Sequence, residues 1–161
     1  PADREALLAF HKQVGELQRA VMGASRAAQD AAERMEGIKR AIDISPQVDL
    51  GLRDEARSLE LRLMDVRERL TGDRTRPRRS EPGMPGITSR LQRVVSAGFS
   101  STSAPTETQR QGYEIAAEEF GEIYDDLRQL VETDLPAFEA RLEAAGVPWT
   151  PGRSIPRWNR G

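Results

Sequence analysis

The sequence has no cysteine and a single histidine, and each shortage removes a class of chemistry. Without cysteine the chain can form neither a disulfide nor a thiolate metal site, and it gives no indication of a redox compartment. His11 has no second imidazole to share a metal with, and no Glu-x-x-His spacing occurs anywhere in the sequence. We therefore expect His11 to lie on the flank of a helix. The sequence predicts no catalytic residue, no metal ligand and no cofactor.

Long apolar runs and a strong charge of one sign are also absent. No segment approaches the roughly 18 apolar residues of a membrane span, and no basic and apolar signal region opens the sequence. The formal net charge of −2 creates no global field that would attract nucleic acid. We predict neither a membrane span nor a nucleic-acid partner. Because the sequence starts at Pro1 rather than methionine, we expect it to be a processed or excised piece of something longer.

The sequence does contain an unbroken heptad pattern in its first quarter. Apolar residues or alanines alternate at spacings of three and four residues, which predicts one helix from about Asp3 to Asp43. At about 1.5 Å per residue this helix is roughly 60 Å long. Its centre, from Ala20 to Ala32, is rich in alanine, which suits core packing within a bundle or contact with a second chain. The predicted seam is Leu7, Phe10, Val14, Leu17, Val21, Ala24, Ala28, Ala31, Met35, Ile38 and Ile42.

A second and a third helix follow. The second has its seam from Leu52 to Leu70, with Leu61 and Met64 expected to widen the apolar stripe, and it ends at Gly72. Residues 72–86 are rich in proline, glycine and arginine and predict a loop. A short helix is expected from about Ile87 to Phe99.

The last helix begins at one of two caps. Either Ser103 caps it, or Thr106 caps it with a glutamine three residues later completing a capping box. It then extends to about Ala145. Pro136 removes one hydrogen bond inside the helix and predicts a bend rather than a break. The predicted seam is Tyr113, Ala116, Phe120, Ile123, Leu127, Val131, Leu135, Phe138 and Leu142.

These lengths predict an all-α fold. We expect an elongated three-helix bundle in which the two long helices run parallel and the two short helices together form the third, antiparallel edge. A compact four-helix bundle is the alternative. We assign residues 1–146 to the bundle and residues 147–161 to a tail containing proline and tryptophan that docks on it, with Trp149 in the contact.

Two groups of residues are candidates for interaction. The first is the arginine cluster of the loop, which suits phosphate or an acidic protein surface, although ion pairing with the acidic last helix is the simpler interpretation. The second is the pair Trp149 and Trp158, because tryptophan and arginine concentrate at interface hot spots. Intramolecular docking is the alternative for the tryptophans. The arginines are Arg74, Arg76, Arg78 and Arg79.

The C-terminal half resembles a known family. The segments SSTSAPTETQRQGYEIAAEEF (100–120) and LRQLVETDLPAFEARLEAAGVPWTPGR (127–153), with SEPGMPGITSRL (80–91) before them, are similar to the C-terminal end of large bacterial sortilin-like β-propeller proteins, often labelled BNR-repeat glycosyl hydrolases. The resemblance implies a helical domain appended to a propeller, without a catalytic motif, and a periplasmic or secreted location. The aspartate-box repeat of the propeller, Ser-x-Asp-x-Gly-x-x-Trp, does not occur here. The hydrolase label is therefore not transferred to this chain.

Three functions remain open at this point. The first is a non-catalytic accessory domain for stability, assembly or partner binding, whose partner is the propeller of its own parent chain or another protein. The second is a free-standing, coiled-coil-like adaptor that forms a homodimer through the first helix. The third is a bundle enzyme or metal carrier that uses the acidic face of the last helix, although a solvated face is the simpler interpretation. The acidic residues are Glu118, Glu119, Asp125, Asp126, Glu132 and Asp134.

Overall fold

The computed structural model describes residues 2–72, 85–98 and 103–161, and within these residues it contains helices and no strand. The all-α prediction is therefore confirmed, whereas the placement of the helices on three edges stays a prediction. The elements are α1 (Ala2–Asp43), α2 (Leu50–Thr71), α3 (Ile87–Gly98), α4 (Glu107–Gln129), a π-helical segment (Leu130–Asp134) and α5 (Leu135–Ala144).

Helix α1 follows its predicted seam closely. Of the eleven seam residues, eight are buried and the remaining three, Leu7, Leu17 and Ala24, are half-buried. Ala28 and Ala31 in the alanine-rich centre are each only 1% exposed. Contacts within the single chain already cover this part of the helix.

Helix α2 begins and ends with specific caps. The Asp49 carboxylate accepts a hydrogen bond from the backbone N–H of Leu52 at 2.8 Å, and Gly72 follows the helix with a φ of 81°. The predicted broadening of its stripe is wrong, because Leu61 and Met64 are 48% and 53% exposed. They lie on the helix face away from its buried residues, so the buried stripe is narrow.

The structure decides between the two predicted caps of α4. The backbone N–H of Gln109 donates to the Thr106 hydroxyl at 3.2 Å, and the backbone N–H of Thr106 donates to the Gln109 side-chain carbonyl at 2.9 Å. These reciprocal bonds form a capping box. Thr106 therefore caps α4.

The helix before Pro136 widens instead of breaking. Residues 130–134 form a π-helical segment in which the backbone N–H of Leu135 donates to the carbonyl of Leu130. A π-helical turn inserts one extra residue into a helix, so the seam steps by five residues here. Leu130 is buried at 2% exposure and the predicted seam residue Val131 is only half-buried, which makes Leu130 a correction to the seam.

Helix α5 ends in a Schellman motif that starts the tail. Gly146 has a φ of 75° and its N–H donates to the carbonyl of Glu143 at 3.0 Å, while the N–H of Val147 donates to the carbonyl of Leu142 at 3.0 Å. Val147 and Leu142 are both buried, which completes the apolar contact of this motif. The chain is thereby directed into residues 147–161.

The contacts divide the chain into two compact units, which share the long helices. The first comprises Pro1–Arg26 and Val66–Asp125, and the second comprises Ala27–Asp65 and Asp126–Gly161. The core of the first unit includes Val21, Leu70, Ile87 and Ile123, and that of the second includes Ile38, Leu135, Phe138 and Leu142. In the first unit, the rings of Phe10 and Tyr113 meet edge to face with their centroids 6.0 Å apart.

Candidate functional site

The structure describes the tryptophan candidates and not the arginine candidates. Arg74, Arg76, Arg78 and Arg79 lie outside the described residues, as does the expected ion pairing of their loop. Trp149 is 49% exposed and Trp158 is 83% exposed. The indole N–H of Trp149 donates to the backbone carbonyl of Arg153 at 3.2 Å, so its polar atom is bonded within the tail itself.

A buried arginine fixes the start of the tail. The side chain of Arg153 is 2% exposed, and its guanidinium donates to the carbonyls of Pro148 at 2.6 Å and Val147 at 3.3 Å. The same guanidinium pairs with the carboxylate of Glu143 on α5. One side chain thus holds both the backbone turn of residues 147–153 and the last turn of α5.

Other residues of this turn pack on α1. Thr150 is 4% exposed, and a Cβ placed on Gly37 of α1 would lie 3.7 Å from the Cβ of Thr150. Gly152 has a φ of 93°, and a Cβ there would lie 2.6 Å from the Nε of Arg34. Glycine is required at this position because of both its φ and its close approach to Arg34.

Beneath the tail lies an ion pair between α1 and α5. Arg34 donates a charge-assisted hydrogen bond to one carboxylate oxygen of Glu139, whose side chain is 6% exposed. The other oxygen, Glu139 Oε2, is buried without a hydrogen-bond partner, and so is the Arg34 Nε. Buried charged groups with an unpaired atom are uncommon in folded proteins. This pair therefore contains one unused donor and one unused acceptor.

An open groove adjoins this pair. It has a volume of about 450 Å³ and is lined on one side by Pro136 and Ala140 of α5 and on the other by tail residues, including Ile155 and Arg157. Arg34 and Glu139 also line it. Ile155 is 87% exposed, and the polar residues Ser154 and Arg157 line the groove next to it. This groove is the candidate interaction site, and we call it the tail groove.

A smaller cavity lies in the first unit, between α1 and α3. It measures about 230 Å³ and is mostly apolar, with Phe10, Val14 and Val94 among its lining residues. His11 is exposed at its edge, 3.6 Å from where a Cβ on Gly98 would lie. The sequence placed His11 on a helix flank, and the structure agrees.

The acidic residues of the last helix make ion pairs with α2. Arg62 donates to Asp126 of α4 and to Asp134, the last residue of the π-helical segment, both at 2.8 Å. Hydrogen bonds from Arg62 and from Gln129 hold the pKa of Asp134 below its ordinary value. The hydrogen bonds that Arg62 donates to Asp126 and Asp134 raise the pKa of Arg62. Glu122 pairs with Arg69. Three carboxylates of this helix are therefore paired with arginines of α2, although Asp126 and Glu122 remain 46% and 56% exposed.

Two properties of residues 2–72, 85–98 and 103–161 concern metal binding and membrane spanning. In those ranges no group of three or more histidine, aspartate or glutamate side chains is placed to hold a metal ion. No helix within the same ranges is both long enough and apolar enough to cross a membrane.

The sequence did not indicate the residues of the tail groove. Arg34 and Glu139 are separated by 105 residues, and their approach depends on how α1 packs with α5. The one available signal is their position: Arg34 is adjacent to the seam residue Met35, and Glu139 to the seam residue Phe138. Positions that flank a seam often form charged pairs between neighbouring helices. Arg153 gave no signal, because its partners are carbonyls of a local turn.

No family model, no curated protein and no solved structure matches this chain.

Proposed function

We propose that this chain is a non-catalytic helical accessory domain that contacts another polypeptide through its C-terminal tail. The supporting observation is the contrast within the tail. Residues 147–153 are tightly held by the buried Arg153, whereas Ile155 and Trp158 beyond them are 87% and 83% exposed. Large apolar side chains that are exposed next to an anchored turn are typical of a protein contact surface.

The parent protein that we propose is the sortilin-like β-propeller protein that the C-terminal half resembles. The tail would then contact the propeller of the same chain or a separate protein in the periplasm or outside the cell. This part of the proposal rests on sequence segments 80–91, 100–120 and 127–153 alone.

The test has two steps. The first step determines the sequence of the complete reading frame that encodes residues 1–161. We expect several Ser-x-Asp-x-Gly-x-x-Trp repeats upstream of these residues. The second compares amide hydrogen exchange of residues 154–160 between the complete protein and the 161-residue chain. Slower exchange in the complete protein supports contact with the propeller. A reading frame without propeller repeats contradicts the proposed parent, and unchanged exchange in a propeller protein contradicts contact within the chain.

The homodimeric adaptor is the second candidate. It forms its homodimer through α1, and the alanine-rich centre is one part of that helix that could face another chain. Ala28 and Ala31, each 1% exposed within one chain, are unsuited to that contact. The exposed residues Leu61 and Met64 of α2 provide a separate apolar surface, so self-association remains a measurable alternative.

A further inference from the structure

The charged side chains are divided unevenly between the tail and the rest of the chain. Residues 147–161 contain three arginines, Arg153, Arg157 and Arg160, and no acidic residue. Of the 24 basic and 26 acidic residues of the chain, residues 1–146 therefore contain 21 and 26, a net charge of −5. The side chains of the tail carry +3. A basic segment of this kind can attract an anionic surface although the whole chain is slightly acidic.

Two of these three arginines are free to contact a partner. The side chain of Arg153 is 2% exposed and pairs with Glu143, so its charge is used within the chain. Arg157 and Arg160 lie in the segment of residues 154–161, where every residue is exposed. Neither of them forms an ion pair with another residue of the ranges 2–72, 85–98 and 103–161.

Large apolar side chains alternate with these two arginines. From position 155 the sequence reads Ile-Pro-Arg-Trp-Asn-Arg, and Ile155 and Trp158 are 87% and 83% exposed. The segment belongs to no helix or strand, and Pro156 restricts both itself and the residue before it to extended conformations. Apolar and basic side chains therefore project from the same short, extended stretch. Tryptophan beside basic residues is typical of segments that lie at the interface between a lipid membrane and water.

The isoleucine distinguishes a lipid surface from nucleic acid. Single-stranded nucleic acid would suit Trp158 and the arginines, because a base can stack on the indole ring while the arginines contact phosphates. It offers no apolar interior for Ile155, which has no ring for a base to stack on. The region beneath lipid headgroups accommodates both apolar side chains, and lipids rearrange around an extended segment without requiring a fixed spacing. The observations therefore favour lipid.

We propose that residues 154–160 bind an anionic lipid surface. Ile155 and Trp158 enter the headgroup region, while Arg157 and Arg160 contact lipid phosphates. The bundle stays outside the membrane because its net charge is negative. We expect reversible binding, no tighter than the roughly 10⁴ M⁻¹ that a single myristoyl chain provides. This inference goes beyond the proposed function. Because a polypeptide contact of the tail uses the same two apolar side chains, the two contacts exclude each other.

The experiment titrates the 161-residue chain with lipid vesicles and follows tryptophan fluorescence. The chain has two tryptophans, so the Trp149→Phe background leaves Trp158 as the only reporter. One vesicle is phosphatidylcholine alone, and the other contains about 30% phosphatidylglycerol. We expect Trp158 emission to shift to shorter wavelength with the anionic vesicle, at least about tenfold more tightly than with the neutral one. Raising the salt concentration to about 0.5 M should reverse the shift.

Two results of that titration would overturn the proposal. The first is an unshifted emission at about 5 mM anionic lipid, a concentration that detects affinities well below that of a myristoyl chain. The second is equal binding to both vesicles, which would leave the arginines without a role. Circular dichroism checks that Trp149→Phe retains the helix content of the original chain.

Three variants locate the contact. In the Trp149→Phe background, Arg157→Gln and Arg160→Gln should each weaken anionic binding about fivefold. The matched control is Arg19→Gln, on an exposed position of α1, which should change binding less than about twofold. An equal loss for Arg19→Gln and Arg157→Gln would indicate general charge attraction and overturn the assignment to the tail.

The nucleic-acid alternative is measured with the same reporter. Ile155→Ser should weaken binding to the anionic vesicle and leave any binding of a short oligothymidylate unchanged. Tighter binding of oligothymidylate than of the anionic vesicle would show that the proposal is wrong.

This proposal and the proposed function fail separately. Vesicle binding is measured on the 161-residue chain without another polypeptide, whereas the proposed function is tested in the complete protein without lipid. Absence of vesicle binding therefore leaves the accessory domain intact, and absence of a propeller leaves the vesicle measurement intact.

Discussion

Arg62 on α2 donates a hydrogen bond to Asp134, the last residue of the π-helical segment, at 2.8 Å. The second terminal nitrogen of Arg62 binds Asp126 on α4, also at 2.8 Å. One guanidinium of α2 therefore binds both α4 and the last residue of the π-helical segment.

This pair predicts a specific pH dependence of stability. The pKa of Asp134 is lowered from its ordinary value of 3.8 when the chain folds, so the pair stabilises the fold above that value. The contribution is lost as the pH falls through the lower, folded pKa. Asp134→Asn should reduce the free energy of unfolding by about 0.5–1 kcal/mol at neutral pH and by progressively less as the pH falls below 3.8. Urea unfolding at neutral pH and below pH 3.8 measures this difference.

The control for that prediction is Asp125→Asn, on an exposed position of α4. It should have a smaller effect that varies less with pH. A loss for Asp134→Asn that is as large at low pH as at neutral pH would show that the ion pair is not its cause.

The π-helical segment predicts that one deletion is tolerated. Removing Thr133 should convert the segment to α-helix and leave Leu130 and Leu135 in the seam, because a π-helical turn is an α-helix with one residue added. We expect the melting temperature to fall by less than roughly 5 °C. Deleting the exposed Glu114 from the regular part of α4 should instead rotate the following seam and abolish cooperative unfolding. Similar melting of both deletion variants would refute this account.

Arg153 predicts the largest single effect in the tail. Arg153→Ala leaves the carbonyls of Val147 and Pro148 without their donor and should cost about 2–4 kcal/mol. Arg153→Lys should recover little of this loss, because an ammonium group cannot reach several carbonyls and a carboxylate in the same geometry. Arg160→Ala, in the exposed part of the tail, should stay within about 0.5 kcal/mol of the original chain. Chemical denaturation with limited proteolysis of the tail measures all three.

Gly152 allows a comparison of two glycine substitutions. Gly152→Ala places a Cβ 2.6 Å from Arg34 Nε at a φ of 93° and should cost about 1–3 kcal/mol. Gly121→Ala, in α4 with open space around the new Cβ, should stabilise the chain by about 0.5–1 kcal/mol. Thermal unfolding of both variants tests the sign as well as the size. A neutral Gly152→Ala would mean that the tail does not lie against Arg34.

Helix positions were predictable because they follow local rules. The bounds of α1, the cap of α2 at Gly72 and the Thr106 capping box all depend on residues within one or two turns. Leu130 was missed because the heptad pattern alone does not show that the helix contains one extra residue before Pro136. That residue becomes evident only from the packing. The exposure of Leu61 and Met64 was missed because the sequence does not show how much of the circumference of α2 its neighbours cover.

The candidate site was predictable only in part. Trp149 and Trp158 stand out in the sequence because tryptophan is rare in it. The pair of Arg34 and Glu139 depends on the packing of distant helices, and no rule of spacing connects them. The burial of Arg153 depends on a turn that glycine at position 152 permits, which becomes visible only in three dimensions.

The most direct test of the account is the mass of the 161-residue chain in solution. An accessory domain whose heptad seam is covered by its own helices should remain a monomer of 17.9 kDa in size-exclusion chromatography with light scattering, from micromolar to near-millimolar concentration. A stable dimer across that range would contradict the account, and it would make self-association the function to pursue.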